Sequence, residues 1–352
     1  MVFVGHAPFN PSFAFWSNKL NLGYDSVVAF FVLSGYVISY SATEKEKTPL
    51  NYTLARIARI YPVAIGTILV ALCLQIVAEP LSPNLYTHYH GQLENAPSVI
   101  AQCLLFLNEA WWFDVKPFAM GPYWSLPFEV WDYVAYGVLI FLNGWKRAAL
   151  LIAILALLGP KFLLLLPVWA IGSTTYHFGR KWTFNKPTAW VMTIVPIVIY
   201  AAFKLLLPST WSYHLLGQKI EELFHHGLDG AAAFLWATIM GALFAVHLVG
   251  VYNLTASRVR KWVTLSHIIT FFSDLSFTLY MIHMPVTYFI YAYLAPSFQQ
   301  PGPEGKVLIY GTVLAVSYTF SALIEKSRHQ LRNGIRVFLS KMRIVQAQPS
   351  ID

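Results

Sequence analysis

A chain of 352 residues that is 57% hydrophobic, 16% aromatic and only 11% charged falls outside the composition of soluble domains and reads as a polytopic membrane protein. Its net charge of +8 is scattered in short clusters between apolar runs, as membrane topology requires, and this argues against a nucleic-acid surface. Cys73 and Cys103 both sit in apolar stretches, which makes a disulfide framework improbable and leads one to expect buried, inert thiols.

In chain order, Met1–Ala7 is expected to be the outer end of an earlier span. No basic region and no small-residue cleavage site precede Pro8 and Pro11, so no cleavable signal peptide is expected. Apolar runs near the ~20 residues needed to cross a bilayer follow at 22–41, 57–78, 124–142, 188–207, 229–250, 267–293 and 307–325, with a tighter pair at 148–159 and 162–179. Tryptophans and tyrosines cluster at many of their ends, among them Trp111, Tyr123, Trp182 and Trp211, as interfacial belts do. The fold class is therefore all-α: a polytopic transmembrane helix bundle of about ten spans, the first truncated. Residues 1–325 form the membrane domain and 326–352 a basic cytoplasmic tail. No internal repeat is evident.

The segment 98–123 is expected to be re-entrant or interfacial. If it does not cross, most of the 24 lysines and arginines fall on one face, which is then cytoplasmic; if it crossed, the later basic loops would fall outside. Asn108, Glu109 and Asp114 also suit a partly wet environment.

Several polar residues interrupt the apolar runs. Arg56 and Arg59, at i and i+3, project from one helix face and suit phosphate recognition, although basic residues at a cytoplasmic helix end are also ordinary topology signals. Glu129 lies in the first turns of an apolar segment, where an unpaired carboxylate is costly and is usually paired or functional; a dipole-favoured interfacial glutamate is the plainer account. Asp25 and Asp132 hold similar positions with weaker claims. His283, just before Pro285, suits a structural hydrogen bond to a neighbouring helix. The Ser34-Gly35 step suits close helix packing, because the chain around it lacks a Gly-x-Ser-x-Gly elbow. The pairs His88/His90 and His225/His226 do not follow a zinc spacing, so no metal is expected.

Five motifs in order carry a resemblance: Gly5-His6, Phe30-Phe31-Val32-Leu33-Ser34-Gly35-Tyr36, Arg56-Ile57-Ala58-Arg59-Ile60-Tyr61-Pro62, Trp124-Ser125-Leu126-Pro127-Phe128-Glu129 and Tyr280-Met281-Ile282-His283-Met284-Pro285. Together they resemble the acyltransferase-3 family of integral membrane O-acyltransferases, which modify bacterial surface polysaccharides and related acceptors. The family places an arginine ten residues ahead of its histidine; here that position would precede Met1, and the residue pair after Glu129, Asp132-Tyr133, departs mildly from the usual aromatic pair.

The resemblance implies transfer of an acyl group, in the first instance acetyl, from acyl-CoA to a hydroxyl of a carbohydrate or glycolipid. His6 and Glu129 would be catalytic, with His6 as base or transient acyl carrier. Arg56 and Arg59 would bind acyl-CoA, with His283, Tyr280, Ser34 and Trp124 in support. Acyl-CoA is then a donor substrate and no cofactor is held permanently. The expected setting is the bacterial plasma membrane with the C-terminus in the cytoplasm. The alternative from composition and polar residues alone is a transporter or exporter of a small solute or glycan precursor, and a third reading is an inactive scaffold.

Overall fold

The computed structural model describes residues 22–89, 91–208, 210–255, 263–294 and 303–341. His6 lies outside the described residues. Eleven α-helices make up the described chain: α1 (Leu22–Glu44), α2 (Pro49–Ala78), α3 (Ala96–Leu104), α4 (Ser125–Phe141), α5 (Gly144–Leu158), α6 (Pro160–Thr174), α7 (Lys186–Leu206), α8 (Gln218–Phe224), α9 (Phe234–Thr255), α10 (Val263–Leu294) and α11 (Pro303–Lys341). Each expected apolar run falls on one of them.

Local chemistry explains where several begin. α2 starts ahead of its apolar run because Thr48 accepts a hydrogen bond from Asn51 N at 3.3 Å and Pro49 occupies the first turn. α5 and α6 meet at Gly159, whose φ of +78° is open to glycine, and a β-carbon there would stand 2.8 Å from the Trp111 ring. α11 continues through Lys341, so the basic segment after Ile324 prolongs a helix instead of starting apart from it.

Among the described residues, α1, α2, α7, α9 and the Val307–Ile324 part of α11 are long and apolar enough to cross a membrane. α4, α5 and α6 are shorter, at 17, 15 and 15 residues. α6 is extended by a π-helical turn over Thr175–Gly179.

Among the described residues, the one α-helix between α2 and α4 is short. α3 has nine residues, a rise of only ~14 Å. The chain then turns through left-handed backbone at Phe106, Trp111, Phe118 and Ala119 (φ 46° to 62°), an arrangement kept only where surrounding bonds over-determine it. Those bonds are present: Gln92 accepts from Phe118 N at 2.7 Å and donates to Lys116 O at 3.0 Å, Trp131 donates to Phe106 O at 2.9 Å, and Tyr123 donates to Cys103 O at 2.9 Å.

Two helix groups pack side by side. α1, α6, α7 and α9 form one, α2, α10 and α11 the other, and α4 touches both through α1, α6 and α2. α1 and α6 approach closely because Gly35 and Gly172 face each other's backbones: a β-carbon on Gly172 would lie 1.9 Å from Val32 O, and one on Gly35 2.2 Å from Trp169 O. Gly172→Ala must push the two backbones apart. A loss of roughly 1–3 kcal/mol is expected, read as a lowered thermal-unfolding midpoint of the detergent-solubilised protein. An unchanged midpoint would contradict the packing.

The two ends of the bundle carry different ion pairs, and one end also holds Lys45, Arg59 and Lys181. At one end Arg56 pairs with Glu46, Arg180 lies 3.7 Å from Glu44, and Tyr176 donates to Glu44 at 3.3 Å; we call this the basic end. At the other, Asp25 accepts from Trp236 at 2.7 Å and Tyr200 at 2.8 Å and pairs with Lys204, tying α1 to α7 and α9. Asp25 thus serves packing. Cys103 is buried as expected, whereas Cys73 is exposed, because it points away from the face that α2 turns to its neighbours.

Candidate active site

α4 is apolar around most of its circumference but carries Ser125, Glu129, Asp132, Tyr133 and Tyr136 on one side, all of them buried. Spacings of three and four residues align these groups on a single face. That face looks into the seam where α1, α2 and α6 meet.

The polar stripe is wired in one direction. Trp169 donates from Nε1 to Ser34 Oγ at 3.3 Å, Ser34 Oγ is 2.9 Å from the Tyr133 hydroxyl, and Tyr133 donates to Glu129 Oε1. Because the Tyr133 proton points at the carboxylate, Ser34 is the donor to Tyr133, and it also lies 3.4 Å from Glu129. Three donors therefore line up on one carboxylate, each polarising the next. The backbone of Tyr133 is held in turn by the Tyr52 hydroxyl, 2.9 Å from its carbonyl oxygen.

The two arginines of α2 face this network. Arg56 stacks over Tyr52 at 4.7 Å and approaches Tyr133 at 5.7 Å while pairing with Glu46; its Nε is buried without a hydrogen-bond partner. Arg59 and Arg56 both act electrostatically on Glu129. Among the described residues Arg59 forms no hydrogen bond or ion pair, so its guanidinium is available to an anionic group. Asp132 Oδ1, buried beside Glu129, also has no hydrogen-bond partner.

The acyltransferase-3 family model, described as an acyltransferase domain, matches residues 1–326. The chain belongs to the acyltransferase-3 family. No curated protein and no solved structure matches it. Membership together with the apolar helices makes it an integral membrane acyltransferase.

The remaining sequence-derived residues of this acyltransferase divide into two groups. Tyr280 joins the seam: its hydroxyl is 2.7 Å from Ser125 Oγ, and it interacts electrostatically with Glu129. His283, one turn on and buried, donates from Nδ1 to the carbonyl oxygens of Leu279 and Tyr280 at 3.0 and 2.9 Å, so Nδ1 carries a hydrogen. Trp124 stands apart. It stacks on Tyr24 at 6.1 Å and fills the space that a β-carbon on Gly230 would enter, which makes it a packing wedge at the far end.

Sequence reasoning passed over Tyr133, Trp169, Tyr136 and His177. Tyr133 had a usable signal, since it follows Glu129 by one helical turn on the same face. Trp169 and His177 had none, because each comes from a different helix and reaches the stripe only through packing.

Away from the seam, Glu109, Asp114 and Asp229 bring carboxylate oxygens within 4.8 Å of one another. Lys161 already supplies a cation there: its Nζ lies 3.2 Å from Glu109, 3.1 Å from Asp229 and 2.6 Å from Phe113 O. Of the outer histidines, His226 stacks on Trp112 at 4.7 Å and His225 ends α8 in a left-handed turn.

Proposed function

We propose that this acyltransferase moves an acyl group, acetyl in the first instance, from acyl-CoA to a hydroxyl of a carbohydrate or glycolipid. The observation that carries the reading is the buried Glu129 network with an uncommitted arginine turned toward it. A carboxylate inside an apolar bundle is costly to keep without a task. Here it accepts from the Tyr133 hydroxyl, which has the Ser34 hydroxyl behind it, while the nearby guanidinium of Arg59 has no ion pair among the described residues and suits a second anion.

In the reaction the acceptor oxygen adds to the thioester carbonyl carbon while its proton passes to His6. The C–S bond of the tetrahedral adduct then breaks, the proton returns to the departing thiolate, and an ester and free CoA result. His6 takes this role from its place in the family motif. Arg56 and Arg59 hold the donor by charge-assisted bonds, and Glu129 orients the base or the donor-binding arginine. The basic end faces the cytoplasm, where acyl-CoA is found, in a bacterial plasma membrane crossed by about ten spans.

Purified protein supplied with labelled acetyl-CoA and candidate glycans tests the proposal. Label is expected in the glycan with wild-type protein and is expected to disappear with His6→Ala. Transfer that persists unchanged in His6→Ala would remove the histidine from the mechanism. Solute uptake into vesicles without acyl-CoA would replace the proposal with transport.

A further inference from the structure

The basic end holds a cavity of about 350 Å³ lined by Thr43, Tyr176, His177, Arg180, Lys181 and Tyr252. Its size falls in the range of small-molecule sites, and three of its six lining residues are basic. The π-helical turn at Thr175–Gly179 gathers them at the end of α6; such turns are frequent at functional sites.

The charges there are lightly committed. Arg180 stands over the Tyr176 ring at 4.8 Å and contacts Glu44 only at 3.7 Å, with both side chains partly exposed. Lys181 lies 5.8 Å from the Phe178 ring and has no ion pair among the described residues. An anion entering the cavity meets the two cations Arg180 and Lys181; the Thr43 hydroxyl donates to Ser39 O at 2.7 Å, and Arg180 shares a hydrogen bond with Tyr252 and a long, solvent-screened pair with Glu44.

The cavity is also joined to the buried network. His177 Nε2 is 2.9 Å from the Tyr136 hydroxyl, the Tyr136 ring packs on Trp169 at 5.3 Å, and Trp169 donates to Ser34. A ligand anchored in the cavity thus sits at the head of a continuous track toward Glu129.

We infer that this cavity binds a phosphomonoester, and that its occupant is the ribose phosphate of the donor nucleotide. The assignment of the occupant rests on acyl-CoA being the donor. It complements Arg56 and Arg59, which lie deeper along α2 and are left for the diphosphate and the thioester arm. A lipid headgroup carries similar phosphate chemistry at a membrane surface and is the other source.

The test is calorimetric binding of CoA and of dephospho-CoA, which lacks the ribose phosphate, to the full chain in nanodiscs. Wild type is expected to bind CoA about tenfold more tightly. Arg180→Gln/Lys181→Gln is expected to bind CoA at the dephospho-CoA level, with dephospho-CoA binding unchanged. If the double variant does not fold, Lys181→Gln alone, at an exposed side chain, is expected to reduce the ratio severalfold. Equal affinities in wild type, or a ratio that survives the substitutions, would overturn the inference. Repeating the titration with phosphatidylglycerol in place of part of the phosphatidylcholine separates the sources: if the anionic lipid abolishes the ratio and the substitutions release that lipid, the site belongs to a headgroup and the donor assignment falls. Discrimination without transfer to any glycan would refute the proposed function and leave the site standing. Transfer without discrimination would do the reverse.

Discussion

Replacing Glu129 with glutamine is expected to lower acyl transfer by about 100-fold or more, with the loss in kcat larger than any change in KM for acyl-CoA. The carboxylate collects the hydrogen bond from Tyr133, which itself receives one from Ser34. Glutamine fits the space but brings no negative charge, so the field that Arg59 and Arg56 place on this position is no longer balanced. A positioning role predicts a graded series. Tyr133→Phe removes the donor while leaving the carboxylate, and is expected to cost about tenfold, with Ser34→Ala costing less because it stands one bond further away. The assay compares steady-state rates across pH for the three variants at matched thermal stability. If Glu129→Gln kept full kcat at every pH, the network would be a packing feature only.

The second large effect concerns stability. Lys161 is fully buried, and its ammonium directs bonds to Glu109, Asp229 and Phe113 O, which joins the segment after α3 to α6 and to the loop before α9. Lys161→Met removes the donor that Glu109, Asp229 and Phe113 O share inside the bundle, so a loss of roughly 3 kcal/mol is expected. Adding Glu109→Gln to that variant should restore part of it, because the amide brings N–H donors in place of the lost ammonium. Thermal unfolding of the single and double variants measures both quantities. A double variant no more stable than Lys161→Met would show that the loss comes from packing.

The same cluster sets a pH dependence. Burial pushes the Glu109 carboxyl up to about 8, while the Lys161 charge pulls in the opposite direction. A group held above its unfolded value contributes stability that is complete below about 4.5 and is lost as pH rises toward 8, because the unfolded chain releases that proton first. Glu109→Gln is expected to flatten the stability profile between those limits. A profile unchanged by the substitution would mean that Glu109 is already ionised throughout the range.

Much of the fold was legible because membrane helices announce themselves by length. Each apolar run became a helix, and the Thr48-Pro49 pair was a readable start for α2 that hydropathy alone placed later. Charge placement argued against a crossing by the segment before α4, since a crossing would scatter the basic loops on both faces; the structure places only the nine-residue helix α3 there among the described residues. The candidate site was legible only in part. Glu129, Ser34, Tyr280 and the arginines stand in recognisable motifs, and the seam brings them together; Trp124, in the same motif as Glu129, belongs to the far end instead. The Ser34-Gly35 step serves both readings: Gly35 makes the close approach to α6, and Ser34 belongs to the hydrogen-bonded network.

The sequence by itself determined that this is an all-helical membrane chain of the acyltransferase-3 family, since span length, charge placement and short motifs are local properties that survive without coordinates. Only the tertiary structure decided which residues share the site. Ser34 and Trp169 meet α4 from helices far away in the chain, Arg56 is engaged by Glu46 whereas Arg59 is not, and His177 reaches the network through Tyr136. The physical reason is that a helix in lipid is apolar on its outer face as well as its inner one, so periodicity does not reveal which side turns inward. Cys73 shows the same limit: it was expected inside, and it faces out.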